Sequence, residues 1–185
     1  MKRNFHISKI ITAIILFLLM PPALNAQSKI GVGATIGGGS ISGNFISQGA
    51  FTSSIFVEAN PGFGNNFLAR LSFLYITDEN ILLTQSYGRY NPFIKGFSLK
   101  GIASQSLSGN LYVEESLGPL VLNDRTYENV NEWDFGAAFS LVGGLDFRNQ
   151  NNKGIKIGLG ADYGLTFTNT DVRYISLHLQ VDYIF

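Results

Sequence analysis

WDFGAAFSLVGGLDF (Trp133–Phe147) alternates without a break. Trp133, Phe135, Ala137, Phe139, Leu141, Gly143, Leu145 and Phe147 share one parity; Asp134, Gly136, Ala138, Ser140, Val142, Gly144 and Asp146 share the other. Successive side chains of a strand point to opposite faces, so one face of this stretch is large and apolar and the other small or charged. A soluble sheet buries its apolar face and turns a Lys- and Glu-rich face to water. Here the polar face is mostly glycine, alanine and serine with an aspartate near each end. Trp133 and Phe147 mark the two ends of the large face, as the aromatic girdles of a lipid-facing strand do.

The same design recurs. IKIGLGADYGLTF (Ile155–Phe167) sets Ile155, Ile157, Leu159, Ala161, Tyr163, Leu165 and Phe167 against Lys156, Gly158, Gly160, Asp162, Gly164 and Thr166. YISLHLQVDYIF (Tyr174–Phe185) sets Ile175, Leu177, Leu179, Val181, Tyr183 and Phe185 against Ser176, His178, Gln180 and Asp182. Eight such segments are legible, over 28–38, 49–60, 66–76, 93–103, 110–122, 132–148, 154–167 and 173–185. Short links rich in Gly, Asn and Ser (NPGFGNN, SQSLSGN, NQNNKG) alternate with longer ones (GGSISGNFISQ, TDENILLTQSYGRYNP, NDRTYENVN). An even number of strands, with short turns alternating with longer loops, predicts an all-β fold. The expected architecture is an eight-stranded antiparallel transmembrane β-barrel with both termini periplasmic. In lipid every backbone N–H and C=O must be bonded internally, so such a sheet has to close. A soluble sandwich or cup is the alternative, and the low charged content (14%) weighs against it.

The first residues belong to a different kind of segment. Lys2, Arg3 and Lys9 precede IITAIILFLLM (Ile10–Met20), and PPALNA leads to Ala26 and Gln27. This order predicts a secretory signal over 1–26, cut between Ala26 and Gln27, with the barrel domain over 27–185. The apolar run is too short for the ~20 residues of a spanning helix. Removing the segment leaves ten basic residues against thirteen acidic ones and His178 as the remaining histidine. That balance argues against a nucleic-acid partner. With no cysteine and one histidine, no cofactor or metal cluster is expected.

Eight strands make a barrel just wide enough for side chains to fill. The inward parity collects Lys29, Glu58, Arg70, Lys100, Glu114, Asp134, Asp146, Arg148, Lys156, Asp162 and Asp182. Charges held in a narrow interior must pair or be hydrated. An interior ion-pair network of Lys29, Glu58, Arg70, Lys100, Asp146, Arg148, Lys156 and Asp182 is therefore expected to plug the periplasmic half; a proton or ion path is the alternative. Adjacent Glu114 and Glu115 break the pattern, and a β-bulge at the pair would keep both out of lipid. Lys95 lies on the lipid parity near a strand end, where it can snorkel.

Catalytic signals are weak. Ser176, His178 and Gln180 share a face, but His178 points inward and no third triad member is visible. GVGATIGGG (Gly31–Gly39) lacks phosphate-loop spacing and reads as a strand with a small inward face. Tyr87, Arg89, Tyr90, Asn91, Arg125 and Tyr127, in the longer loops, are residue types suited to an interaction surface.

YVEESLGPLV (Tyr112–Val121), WDFGAAFSLVGGLDF, and YGLTFTNTD leading into the last strand together resemble the small outer-membrane β-barrel proteins grouped as "porin family" or PorT-like. The size is similar to OmpX-like barrels. The resemblance implies an outer-membrane barrel with no shared catalytic residues. The expected role is non-enzymatic: envelope integrity, or surface interaction through the loops. A lipid-modifying enzyme, a narrow channel and a secretion accessory factor are the alternatives. Expected partners are outer-membrane lipid and lipopolysaccharide, with the assembly machinery during biogenesis, and the expected state is a monomer. Tyr183 and Phe185 resemble the aromatic assembly signal that this machinery reads.

Overall fold

The computed structural model describes residues 30–43, 47–62, 66–79, 90–149 and 153–185. The signal segment with Ala26 and Gln27, Lys29, and the loop residues Tyr87 and Arg89 lie outside the described residues. Eight antiparallel strands follow in chain order: β1 (Ile30–Ser42), β2 (Gln48–Ala59), β3 (Phe67–Asp78), β4 (Phe93–Ser108), β5 (Leu111–Arg125), β6 (Glu132–Asp146), β7 (Gly154–Thr166) and β8 (Arg173–Ile184). Each pairs with its sequence neighbour, and β8 pairs with β1, so the sheet is a closed barrel.

Closure is staggered. From Ile30, register partners run through Ala59, Ala69, Gly101, Leu117, Phe139, Tyr163 and Ile175 and return to β1 at Ser40, ten residues along. That stagger sets the strand tilt and a narrow lumen. Ile30 and Phe185 lie at one end with the β2–β3, β4–β5 and β6–β7 turns; we call this the turn end and the other the loop end.

The alternation seen in the sequence is the inside and outside of the barrel. Outward side chains stay open: Leu159 is 72% exposed and Leu177 68%. Inward ones are covered, with Leu120 at 0%. Inward glycines make room for bulky inward neighbours. A Cβ on Gly33 would sit 2.3 Å from the Phe56 ring, and one on Gly164 would sit 2.2 Å from the Tyr174 ring. Small opposite large is how a narrow barrel fills.

Two details differ from the sequence reading. SQSLSGN is mostly strand: β4 runs to Ser108, and Gly109–Asn110 alone make the turn, with Gly109 at φ +56°. A two-residue hairpin loop needs this left-handed backbone, which glycine adopts without steric cost. The expected bulge at Glu114–Glu115 is absent as well. Register is continuous there, and the irregularity lies between Ser106 and Ser108 on β4. Glu114 therefore turns inward, and Glu115 stands exposed on the outer face between Ala103 and Leu141.

Candidate functional site

The interior divides by height. Toward the turn end, Glu58 and Arg70 are register partners on β2 and β3. Arg70 donates to Glu58 Oε2 from Nη2 (2.7 Å) and Nε (3.0 Å), to Glu114 Oε2 from Nη2 (3.0 Å), and to Gln180 Oε1 from Nη1 (2.9 Å). Its guanidinium also stacks on Phe56, 4.1 Å from the ring centroid. Lys156 is bonded to Glu114, lies 4.0 Å from Asp182, and sits 4.1 Å from the Tyr112 ring centroid. Gln180 Nε2 closes the circuit to Asp182 Oδ1 at 3.3 Å. Five strands thus meet across the lumen. Planar Arg70 reaches three acceptors at once, which the point charge of a lysine cannot do.

The single network expected from parity is divided into three. Glu58, Arg70, Lys156 and Asp182 belong together, joined by Glu114 and Gln180. Lys100 lies further up, donating to Asp162 Oδ2 at 3.1 Å and Ser140 Oγ at 3.2 Å. Asp146 and Arg148 pair with each other at the turn end, where Arg148 Nε donates at 2.8 Å. Those hydrogen bonds hold the Arg148 guanidinium above its ordinary pKa. Glu114, the hub, was on the inward parity, but its neighbour Glu115 obscured the register. Gln180 carries no charge, and only its inward parity next to Asp182 could have pointed to it.

Toward the loop end the lumen turns apolar. Ile41, Ala50, Leu74, Ile76, Ile94, Leu120, Leu122, Ala138, Val172 and Tyr174 pack as one buried cluster. Two-residue alternation alone did not show it, because these residues come from different strands and meet only across the barrel. The loop end is also tied down: Asp134 accepts from Thr168 Oγ1 (2.7 Å) and the Asn169 amide (2.7 Å), and is bonded to Thr170.

His178 lies inside, beside Gly160 and in the cavity that Lys100, Asp162 and Gln180 also line. Ser176 Oγ is engaged by Thr52 Oγ1 at 2.6 Å. Neither reaches the outer surface. Among the described residues no group of His, Asp and Glu is arranged to hold a metal ion. Gly31–Gly39 is strand β1, its odd-numbered glycines inward. Tyr90 Oη donates to the Arg125 carbonyl at 2.7 Å, bringing two of the expected loop residues together. Tyr183 and Phe185 face outward at the turn end, with ring centroids 5.0 Å apart and edge-on.

This geometry recurs in solved structures. The fold is that of the small outer-membrane β-barrels. Neisserial surface protein A aligns with a TM-score of 0.61 over 86% of this chain and 98% of its own, at 11% identity. Ail, the attachment invasion locus protein of Yersinia pestis, aligns with a TM-score of 0.52 over 85% of this chain and 97% of its own, also at 11% identity. No family model and no curated protein matches the sequence. Such low identity is what an architecture set by alternation and closure permits, since many different residues satisfy it.

Proposed function

We propose that the chain is a non-enzymatic outer-membrane protein, exported through the secretory pathway and inserted with both termini periplasmic. Its role is structural or interactive, exercised through the loop end. The observation that carries this is the outer face. Val32, Ile36, Ile55, Val57, Leu71, Leu99, Leu117, Leu141, Leu159, Leu177 and Val181 stand exposed all the way around the barrel. Soluble proteins rarely expose a contiguous apolar patch beyond a few hundred Å², and a closed apolar belt belongs in lipid. Aromatic residues border the belt: Phe67, Phe147, Tyr183 and Phe185 at the turn end, Phe93, Trp133 and Phe167 at the loop end. We assign Tyr183 and Phe185 to recognition by the assembly machinery. The inward burial of Ser176 and His178 disfavours chemistry on membrane lipid, and the filled lumen disfavours a channel.

Migration on a gel after detergent extraction tests the membrane barrel. A closed barrel is expected to run differently unheated and boiled; identical migration would count decisively against it. Glu115 supplies a second measure. A carboxylate on the lipid face costs somewhat less than the ~2–4 kcal/mol of a midplane Arg or Lys. Glu115→Leu is therefore expected to stabilise the refolded barrel by about 1–2 kcal/mol in urea titrations in vesicles. A destabilised variant would show that Glu115 does not face lipid.

A further inference from the structure

Among the described strand residues that face outward, four are charged: Lys95, Glu115, Arg125 and Arg173. The three basic ones all lie at the loop end, and the turn end of the outer face has none. Among the described residues none of the three has a carboxylate partner, whereas Arg70, Lys100, Arg148 and Lys156 are all paired. Lys95 and Arg125 are also neighbours. Lys95 is the register partner of Asn123, and Arg125, two residues further along β5, is the partner of Phe93. This makes them a diagonal pair on one face, roughly 7–8 Å apart at the backbone.

Aromatic rings frame the pair. Tyr75 and Phe93 lie side by side at 5.6 Å, and the Arg125 guanidinium is 5.9 Å from the Phe93 centroid. Tyr75 is the register partner of Lys95, and Trp133 that of Asn123. Tyr90 fixes the Arg125 backbone from the incoming loop. Arg125 Nε is shielded and has no partner. Two cations at an aromatic girdle, without a carboxylate partner among the described residues and flanked by rings, match an anion that sits where the hydrocarbon ends.

We propose that Lys95 and Arg125 form a binding site for the phosphate of a lipid headgroup, in the leaflet that the loop end reaches. The inference rests on the membrane placement proposed above. Arg125 supplies the planar fork that phosphate oxygens accept, and Lys95 the point charge beside it. The one-sided placement of the outward cations is what a bilayer with one phosphate-rich leaflet demands. Glu115 is the outward charge toward the turn end, so a symmetric girdle of cations does not account for the pattern.

The test uses the refolded full barrel in phosphatidylcholine nanodiscs, doped with bisphosphorylated lipid A or with the same acylated sugar lacking phosphates. Retained lipid is counted by native mass spectrometry. The phosphorylated lipid is expected to be retained preferentially. Lys95→Gln with Arg125→Gln should lower its retention roughly thirtyfold, at about one unit of headgroup attraction per cation. Lys95→Arg should keep retention, and Arg173→Gln, across the barrel, should leave this site intact. Equal retention of the two lipids, or no loss in the double variant, overturns the proposal. Heat-modifiable migration of the same samples separates the two ideas. Insertion without phosphate preference removes this site alone, and failure to insert in any disc removes the membrane reading with it.

Discussion

Arg70→Met is expected to cost about 3–5 kcal/mol of folding stability at neutral pH, measured by urea unfolding in vesicles. Among the described residues Arg70 is the only group bonded to both Glu58 and Glu114, and it also holds Gln180. Its loss strips buried Glu58 of its ion-pair partner, and an uncompensated buried charge costs more than the broken contacts themselves. Glu114 keeps Lys156, so the damage should fall mainly on Glu58. Glu58→Gln added to Arg70→Met should therefore recover a large part of the loss, which is non-additivity expected of direct partners. Additive losses would show that Arg70 acts by packing on Phe56 rather than by charge. Arg70→Lys should rescue poorly, because one ammonium cannot span the same acceptors.

The second large effect belongs to the apolar half. Tyr174→Ala is expected to cost about 3–5 kcal/mol in the same titration, as for other buried aromatic truncations. Tyr174 is 3% exposed and packs over Gly164, in the cluster with Leu120. Its companions in that cluster include Ile41, Leu122 and Val172, and a space with so apolar a lining should stay dry. Planar-bilayer recordings of the variant should accordingly show no discrete conductance. The ion-pair layer below would still block the lumen even if the apolar layer loosened. Conductance on removing this one ring would show that the apolar cluster is the gate and the charged layer is permeable.

The two experiments bear on different layers of one interior, and those layers were not equally legible beforehand. Strand positions were, because period-2 alternation is local: the parity that put Trp133 outside and Asp134 inside holds over all of β6. Inward charges were legible for the same reason. Which charge meets which was not. Glu58 and Arg70 are register partners across one turn, but Glu114 comes from β5, Lys156 from β7 and Gln180 from β8. They meet across the lumen, at a height fixed by the stagger of closure, and stagger is a property of the whole sheet. Separation of Lys100 and Asp146 from the main cluster has the same origin. Glu114–Glu115 failed differently: two acids in a row suggested a local bulge, whereas the barrel keeps its register and leaves Glu115 outside.

By itself the sequence determined that this chain makes strands, how many, and which face of each is apolar. Side-chain direction in a strand follows from chain position alone, and the turn residues mark the ends. It also determined the apolar exterior, since a face so rich in Leu, Ile and Phe has nowhere else to go once the other face is glycine, serine and charge. Tertiary structure decided the contents of the lumen: a charged layer built around Arg70 and Glu114, and an apolar layer around Tyr174. It decided as well that Lys95 and Arg125 stand together at the loop end, without a carboxylate partner among the described residues. Those outcomes depend on closure and shear, which bring residues from opposite sides of a cylinder to one height, and no stretch of sequence shorter than the full circuit contains that information.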